Sequence, residues 1–328
     1  MKLIKTNWDI PYYNFALEDY LLNSTTHNDD YFFFYIHKPS LIVGRHQNTY
    51  SEINYEFIKR NNICVARRIS GGGCVYHDKG NLNFSYILNR NNNEALNFKK
   101  YCEPILNALN AMGISATLSG RNDLIIDGKK FSGNAEYVNK TKILHHGTIM
   151  YDVDIEYLVN AINVSAEKIQ SKSIKSIKSR VVNLIDYMPT KISIEEFKGV
   201  LLSQLFKEND IQIYELTQKD ISKVKQIATE KFMPTSFNFG NKLEFIYTNS
   251  KKFDAGIIEI GININQNKIT EMKISGDFFS NLECAELEKL FIDCNYFYED
   301  IKNIIDDINV DDYISNLKNE ELLEVIFF

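Results

Sequence analysis

The feature that most restricts this chain is the stretch Arg67-Arg68-Ile69-Ser70-Gly71-Gly72-Gly73-Cys74-Val75-Tyr76-His77-Asp78-Lys79-Gly80-Asn81. Consecutive glycines weaken a helix or strand, because each gives up the most backbone freedom on ordering. They suit a tight loop that turns its N–H groups toward something the main chain approaches closely, an arrangement that holds anions. Ile63, Val65 and Arg67 alternate before the loop, and Leu82, Phe84, Tyr86 and Leu88 alternate after it, which predicts strands on both sides. Such an element is not the strand–loop–helix of a P-loop or dinucleotide fold, and neither GxxxxGK[ST] nor GxGxxG occurs. Flexibility alone does not explain Arg, Ser, His, Asp and Asn packed around the glycines, so an anionic ligand is expected.

A chain of 328 residues exceeds the usual single core, and two domains are expected. The net charge of −6 gives no reason to expect nucleic acid or an anionic membrane as partner. No run approaches the ~20 apolar residues that span a bilayer. The N-terminus has no apolar signal-like stretch. Five cysteines without CxxC spacing suit reduced thiols, so a cytoplasmic protein, monomeric by default, is expected.

Pro11 opens a helix carrying Tyr13, Leu17, Tyr20 and Leu21 on one face. Tyr31–Ile36 and Leu41–Val43 read as strands. Phe98 to Met112 has helical spacing and Gly113 stops it. Strands follow at 114–118, 124–126 and 131–138, with an Asp127-Gly128 hairpin turn, and another at 144–153. Ser193-Ile194-Glu195-Glu196 is a capping box for a helix to Phe206, and a second helix covers 220–232. Residues 241–250 read as a linker, and beyond them two alternating segments (258–264 and 269–274) and several helices form a small unit. The fold class is α+β: a mixed β-sheet flanked by helices over residues 1–246, then a small α/β domain over 247–328.

The glycine stretch resembles the signature loop of the lipoate–protein ligase A family. Further blocks follow in the family's order: Gly44-Arg45-His46-Gln47-Asn48 upstream, then Gly120-Arg121-Asn122-Asp123, Lys130-Phe131-Ser132-Gly133-Asn134-Ala135 and His145-His146-Gly147-Thr148. The resemblance implies a biotin/lipoate-ligase fold with a C-terminal accessory domain. It implies an ATP-dependent ligase that makes lipoyl-AMP and passes the lipoyl group to a lysine of a carrier domain. The carriers implied are 2-oxoacid dehydrogenase E2 subunits and the glycine-cleavage H protein.

Alternation places Lys129 and Lys130 on opposite faces of a strand, and the family match selects Lys130 as the catalytic lysine. By resemblance Arg68, Gly73, Cys74, Val75 and Tyr76 join Lys130 in binding ATP. Ser70, Gly71, Gly72, His77, Gly133, Ala135 and His146 join it in binding lipoate. Asp123 is a candidate Mg²⁺ ligand, with a backbone-bonding turn residue as the other reading. Asp78 reads as a turn-former with Lys79-Gly80. His145 and His146 point to opposite faces, so they do not chelate one zinc ion together. Leu17, Tyr35 and Phe32–Phe34 could line an acyl pocket, but such residues are more often plain core and are not assigned.

The family reading of the basic stretch 165–180 is a mobile segment over the activated acyl group; composition alone gives a solvated loop. An acyltransferase of the same fold, working through a cysteine thioester, is the nearest rival. No cysteine lies between Gly113 and Arg180, which favours the ligase. A non-catalytic lipoyl or nucleotide binder is the third reading. Relatives often carry Trp-x-Trp where this chain has Phe237-Asn238-Phe239.

Overall fold

Tyr31–Ile36 is an unbroken run of aromatic residues ending in isoleucine, and it forms a central strand buried on both faces. The computed structural model describes residues 1–90, 97–120, 122–162, 179–206, 212–240 and 244–328. Two units emerge. The first holds Met1–Ile42, Tyr50–Arg67 and Val75–Asn238; the second holds Val43–Thr49, Arg68–Cys74 and Phe239–Phe328.

Up to Tyr214 the strands are β1 (Lys2–Ile4), β2 (Tyr31–Ile36), β3 (Ser40–Val43), β4 (Cys64–Arg67), β5 (Val75–His77), β6 (Asn81–Asn89), β7 (Thr117–Ser119), β8 (Asp123–Ile126), β9 (Lys129–Val138), β10 (Lys142–Met150) and β11 (Gln212–Tyr214). Among the described residues one sheet runs β11-β1-β2-β6-β10-β9-β8-β7, and a smaller one runs β4-β3-β5. In the larger sheet β1 is parallel to β2 and to β11, while the other pairs are antiparallel, which makes it mixed.

One face of this sheet is apolar. Phe32, Phe34, Leu82, Phe84, Tyr86 and Phe131 pack there with Cys102, Ile105 and Leu109 of the helix Phe98–Ala111 and with Phe197 and Leu201 of the helix Ile194–Leu205. The opposite positions of β6 begin with Asn81, Asn83 and Ser85, which are buried too, as is Ile87 beyond them. The helix Pro11–Asn23 lies against β6 and β10. The second face thus mixes apolar residues such as Phe33 and Ile87 with buried polar groups, and those polar groups must find partners inside the protein.

Local expectations hold where the backbone chemistry was explicit. Pro11 is the first helical residue. Gly113 has φ +82 and ends its helix; Asp127 and Gly128 both have positive φ in the turn between β8 and β9. The Ser193–Glu196 capping box is present with both reciprocal bonds. Three expectations shift. The strand expected from 114 begins at Thr117, because Ile114 N donates back to Leu109 O at 3.0 Å in the helix-ending turn. The strand expected to reach Val153 ends at Met150, as the Tyr151 and Asp152 amides both donate to Gly80 O. The helix expected over 220–232 spans Gln218–Ile227 and continues as a π-helical turn, Ala228–Phe232.

In the second unit β12 (Tyr247–Phe253), β13 (Gly256–Asn265) and β14 (Lys268–Gly276) form an antiparallel sheet. Tyr247–Ser250 therefore belong to a strand, not to the expected linker. Thr248, Ser250 and Lys252 are its exposed alternate positions, and their polarity hid the pattern. Residues 241–243 of that linker, and 165–178 of the basic segment, lie outside the described residues. Ile258, Ile260, Ile262 and Ile274 meet Leu287, Phe291, Ile301, Ile305, Leu322 and Ile326 in a separate core.

Candidate active site

Three of the sequence blocks become neighbouring strands. Gly133 of β9 pairs with Asp123 of β8, while Ala135 and Asn134 pair with His146 and Gly147 of β10. Asn122 and Asn134 exchange bonds across this seam, Asn134 N to Asn122 O at 3.0 Å and Asn122 Nδ2 to Asn134 O at 2.7 Å. Gly133 N donates to Thr148 Oγ1 at 3.2 Å. Gly147 sits where a Cβ would lie 2.3 Å from Asn134 Oδ1 and 2.4 Å from the Phe84 ring, so only glycine fits. Arg121, the remaining member of the block before Asp123, lies outside the described residues.

Lys130 is the cation of this seam. Its Nζ is 2.7 Å from Asp123 Oδ1, both side chains being about a third exposed. The amine folds over Gly133, where an added Cβ would lie 2.9 Å from Nζ. The Lys130 main chain is held as well: its N–H donates to Arg180 O at 2.8 Å and its carbonyl accepts from Val182 N at 3.0 Å. Lys129, its neighbour, is exposed.

On the polar side of the sheet, Glu18 Oε1 accepts from His146 Nδ1 at 3.0 Å, from the Tyr35 hydroxyl at 3.2 Å and from Ser85 Oγ. The Tyr35 and His37 rings lie 4.9 Å apart. His37 Nδ1 is 3.0 Å from His77 Nδ1, and Asn14 Nδ2 is 3.1 Å from His37 Nε2. Asn14 and Glu18 are four residues apart on one helix, so they share a face. The structure thus gathers His77 and His146 into one buried polar cluster. Val75, Tyr76 and His77 form β5, paired with Ile42, Leu41 and Ser40. Of the pocket candidates, Phe32 and Phe34 enter the apolar core, Leu17 is fully buried, and Tyr35 joins this cluster.

The glycine loop itself falls in the second unit. Arg68 braces it from within: Nε donates to Ser70 Oγ at 3.1 Å, and Nη2 donates to Gly71 O at 2.7 Å and Gly73 O at 2.8 Å. Gly72 N donates to Phe278 O at 3.2 Å, and an added Cβ on Gly71 would lie 2.2 Å from that same oxygen. Gly72 has φ +90, and Gly44 must lack a side chain because its Cβ would meet Gly72 O at 1.8 Å. His46 stacks on Phe278 with ring centroids 4.6 Å apart, and Arg45 pairs with Glu283. Cys74 is half-buried at the end of the loop. Arg67 goes elsewhere: its Nε donates to Phe237 O at 2.9 Å and its N to Asn238 Oδ1 at 2.8 Å. Phe237 packs on Phe232, so this aromatic occupies a packed position in the segment without tryptophan.

Residues 10–206 match the lipoyl protein ligase A/B catalytic domain, and residues 242–326 match the bacterial lipoate protein ligase C-terminus. The chain belongs to the lipoate–protein ligase family. Lipoate-protein ligase LplJ of Bacillus subtilis is 40% identical over 324 residues, covering 98% of both chains. The solved structure of P. falciparum LipL1 in complex with lipoate is similar with a TM-score of 0.79 and 26% identity, covering 99% of this chain and 97% of that one. A structure of lipoate-protein ligase A bound with ATP gives a TM-score of 0.64 at 25% identity, covering 73% of this chain and 98% of the other.

This lipoate–protein ligase also contains a Cys–His–acid arrangement that invites a nucleophilic reading. His145 Nδ1 is 2.8 Å from Glu136 Oε1, and Nε2 lies 3.9 Å from Cys102 Sγ. All three are buried, and burial followed by the Glu136 charge pushes the thiol up to about 12. A thiol in that state is a packing group. Its acid has structural work, since Glu136 Oε2 accepts from Asn97 N, the cap of the helix starting at Phe98. Asp78 is a turn-former, Gly80 N donating to its Oδ1 at 2.8 Å, while its Oδ2 accepts from Asp154 N. Asn14, Glu18, His37 and Ser85 escaped the sequence reading. The available signal was the Asn81-Leu82-Asn83-Phe84-Ser85 alternation inside an otherwise buried strand.

Proposed function

We propose that this ligase activates lipoate with ATP and then acylates a carrier lysine. A carboxylate is a poor electrophile, so a lipoate oxygen attacks the α-phosphorus, pyrophosphate departs, and the mixed anhydride lipoyl-AMP forms. The acceptor amine then attacks the acyl carbon and AMP leaves. The first step brings anions together, so a cation placed where charge develops lowers its barrier.

Lys130 carries this reading. It is a compact charge held at both its main chain and its Nζ, on the strand where three family blocks meet. By family match the proposed nucleotide residues are Lys130, Val75 and Tyr76 in the first unit and Arg68, Gly73 and Cys74 in the second. The proposed lipoate residues are Lys130, His77, Gly133, Ala135 and His146 in the first, and Ser70, Gly71 and Gly72 in the second. The functional division is drawn at 246/247. Carrier domains of E2 subunits or the glycine-cleavage H protein are the proposed acceptors, for a monomer in the cytoplasm. No helix among the described residues is long and apolar enough to cross a membrane.

A magnesium ion fits Asp123 as a single hard oxygen donor that Lys130 already shares. No group of three or more ligating side chains is present among the described residues, so phosphate oxygens and water would supply the other ligands. Bound there, the ion would offset phosphate charge, while Lys130 and Asp123 orient the reacting groups. The test follows pyrophosphate release and carrier mass together, with lipoate, MgATP and a lipoyl domain, for the wild type and Lys130→Ala. Pyrophosphate and a lipoyl mass gain, both reduced ~10²-fold or more in the variant, are expected. Acyl transfer from an acylated donor without ATP would replace this reading with the transferase.

A further inference from the structure

Asn14, His37 and His77 form a chain of hydrogen bonds whose direction can be worked out atom by atom. Asn14 Nδ2 is 2.9 Å from the Trp8 carbonyl oxygen, which only accepts, and Asn14 Oδ1 accepts from the Thr6 hydroxyl at 3.2 Å. The amide is therefore fixed with its NH₂ group toward Trp8 and toward His37 Nε2, 3.1 Å away. His37 Nε2 must accept, so its ring proton sits on Nδ1. That proton points at His77 Nδ1, 3.0 Å away, which must accept in turn. The remaining proton of the His77 ring belongs on Nε2.

His37 is fully buried, and burial pushes its imidazole down to about 3, so the ring is neutral and makes only one donation. Phe15 meets its ring edge-on at 5.9 Å and Tyr35 lies 4.9 Å from it, so aromatic rings pack against the imidazole. Ser40 pairs with His77 across the β3–β5 ladder and fixes its main chain.

We infer that His37 is a positioning residue: oriented by Asn14, it holds His77 as the Nε2–H tautomer, so that His77 meets an oxygen of the acyl substrate as a hydrogen-bond donor. The inference rests on the proposed placing of His77 among the lipoate residues. A His77 of the opposite tautomer would present a lone pair to a carboxylate oxygen and repel it.

The experiment uses the full chain labelled with ¹⁵N-histidine, whose six histidines give a tractable set of ring signals. Long-range proton–nitrogen correlations at neutral pH, without substrate, separate protonated from unprotonated ring nitrogens, and His77→Gln assigns the His77 pair. The wild type is expected to show His77 with bare Nδ1 and protonated Nε2. Asn14→Asp offers only acceptor oxygens to His37 Nε2, which reverses the chain and moves the His77 proton to Nδ1. With that reversal KM for lipoate is expected to rise about 10-fold or more, while a preformed lipoyl-adenylate is transferred to the carrier with little change in rate.

His37→Phe, which keeps a ring but removes the donor, should leave His77 as a mixture of tautomers; circular dichroism checks that each variant is folded. A wild-type His77 protonated at Nδ1, or at both nitrogens, overturns the inference whatever the activity. Reversal in Asn14→Asp with an unchanged KM overturns the donor role. Absence of pyrophosphate release in the wild type would instead sink the ligase chemistry, because the ring signals are read without turnover.

Discussion

Gly133→Ala should separate chemistry from folding. The added methyl would lie 2.9 Å from Lys130 Nζ and 3.1 Å from Cε, against an ordinary contact of about 3.5 Å or more. The obstructing atoms are the far end of a flexible side chain, so the amine moves aside by roughly half an ångström and the strand stays as it is. Gly133 is not among the residues with positive φ, so alanine adopts its backbone conformation, and the loss of unfolded-state freedom contributes ~0.4–1 kcal/mol in favour of the fold.

Net stability should therefore stay within about 1 kcal/mol of wild type. Lys130 cannot follow with its main chain, whose amide and carbonyl are both bonded, to Arg180 and Val182. Its Nζ leaves its place beside Asp123. A misplacement of 1 Å in a reacting geometry costs ~10²-fold, so a shift of this size should slow adenylation roughly 10-fold.

Single-turnover pyrophosphate release measures the rate, and urea unfolding measures the stability. Gly147→Ala is the contrast, because its methyl would strike the Phe84 ring and Asn134 Oδ1, neither of which has room to yield. It should cost ~1–3 kcal/mol of stability. Full adenylation by Gly133→Ala, or a stability loss as large as that of Gly147→Ala, would refute the placing of Lys130 described above.

Asp123→Asn removes the partner of a lysine about a third exposed, so stability should change by less than ~1 kcal/mol while adenylation falls; an unchanged rate would mean that Asp123 does not orient Lys130. Burial holds His37 at about 3 against an ordinary 6.5, so between those values the unfolded chain binds one more proton than the folded one. Stability should thus fall as pH falls through that window, and His37→Phe should flatten the acid limb of urea-derived stability by up to one proton, or ~1.4 kcal/mol per pH unit. An equal slope in both proteins would count against a neutral His37. Cys102 and Cys284, the latter buried in the core of the second unit, are both pushed up to about 12 by burial and should stay unalkylated in the native protein while remaining reactive after unfolding; native labelling of either, read by peptide mass, would contradict a packing role for that thiol.

What the sequence made legible was chemistry with a local signature. The Asp127-Gly128 turn, the Ser193 capping box and the Gly113 stop each depend on a few adjacent residues, and each stands where expected. That Lys129 and Lys130 face different ways needed only strand alternation: Lys129 is exposed, while Lys130 meets Asp123. The polar cluster was harder to see, because its members are distant in the chain. Asn14 and Glu18 lie outside the set Tyr13, Leu17, Tyr20 and Leu21 that marks the helix in the sequence, yet the helix Pro11–Asn23 is buried nearly all round. His37 sits just beyond a strand and becomes meaningful only when β5 brings His77 to it. β12 was missed for a different reason: an edge strand with one wet face carries polar residues that read as a linker.

The membership of the second unit bears on how this protein could be divided. A shortened chain ending near Asn238 would keep the residues of the glycine loop but discard the Phe278 carbonyl that receives the Gly72 amide and the ring that His46 lies on. A fragment beginning at Phe239 would keep that platform and lose the loop. A cut in the polypeptide at this point is not a cut between two folded bodies, so activity recovered by mixing two such halves would require the loop to find its seat again.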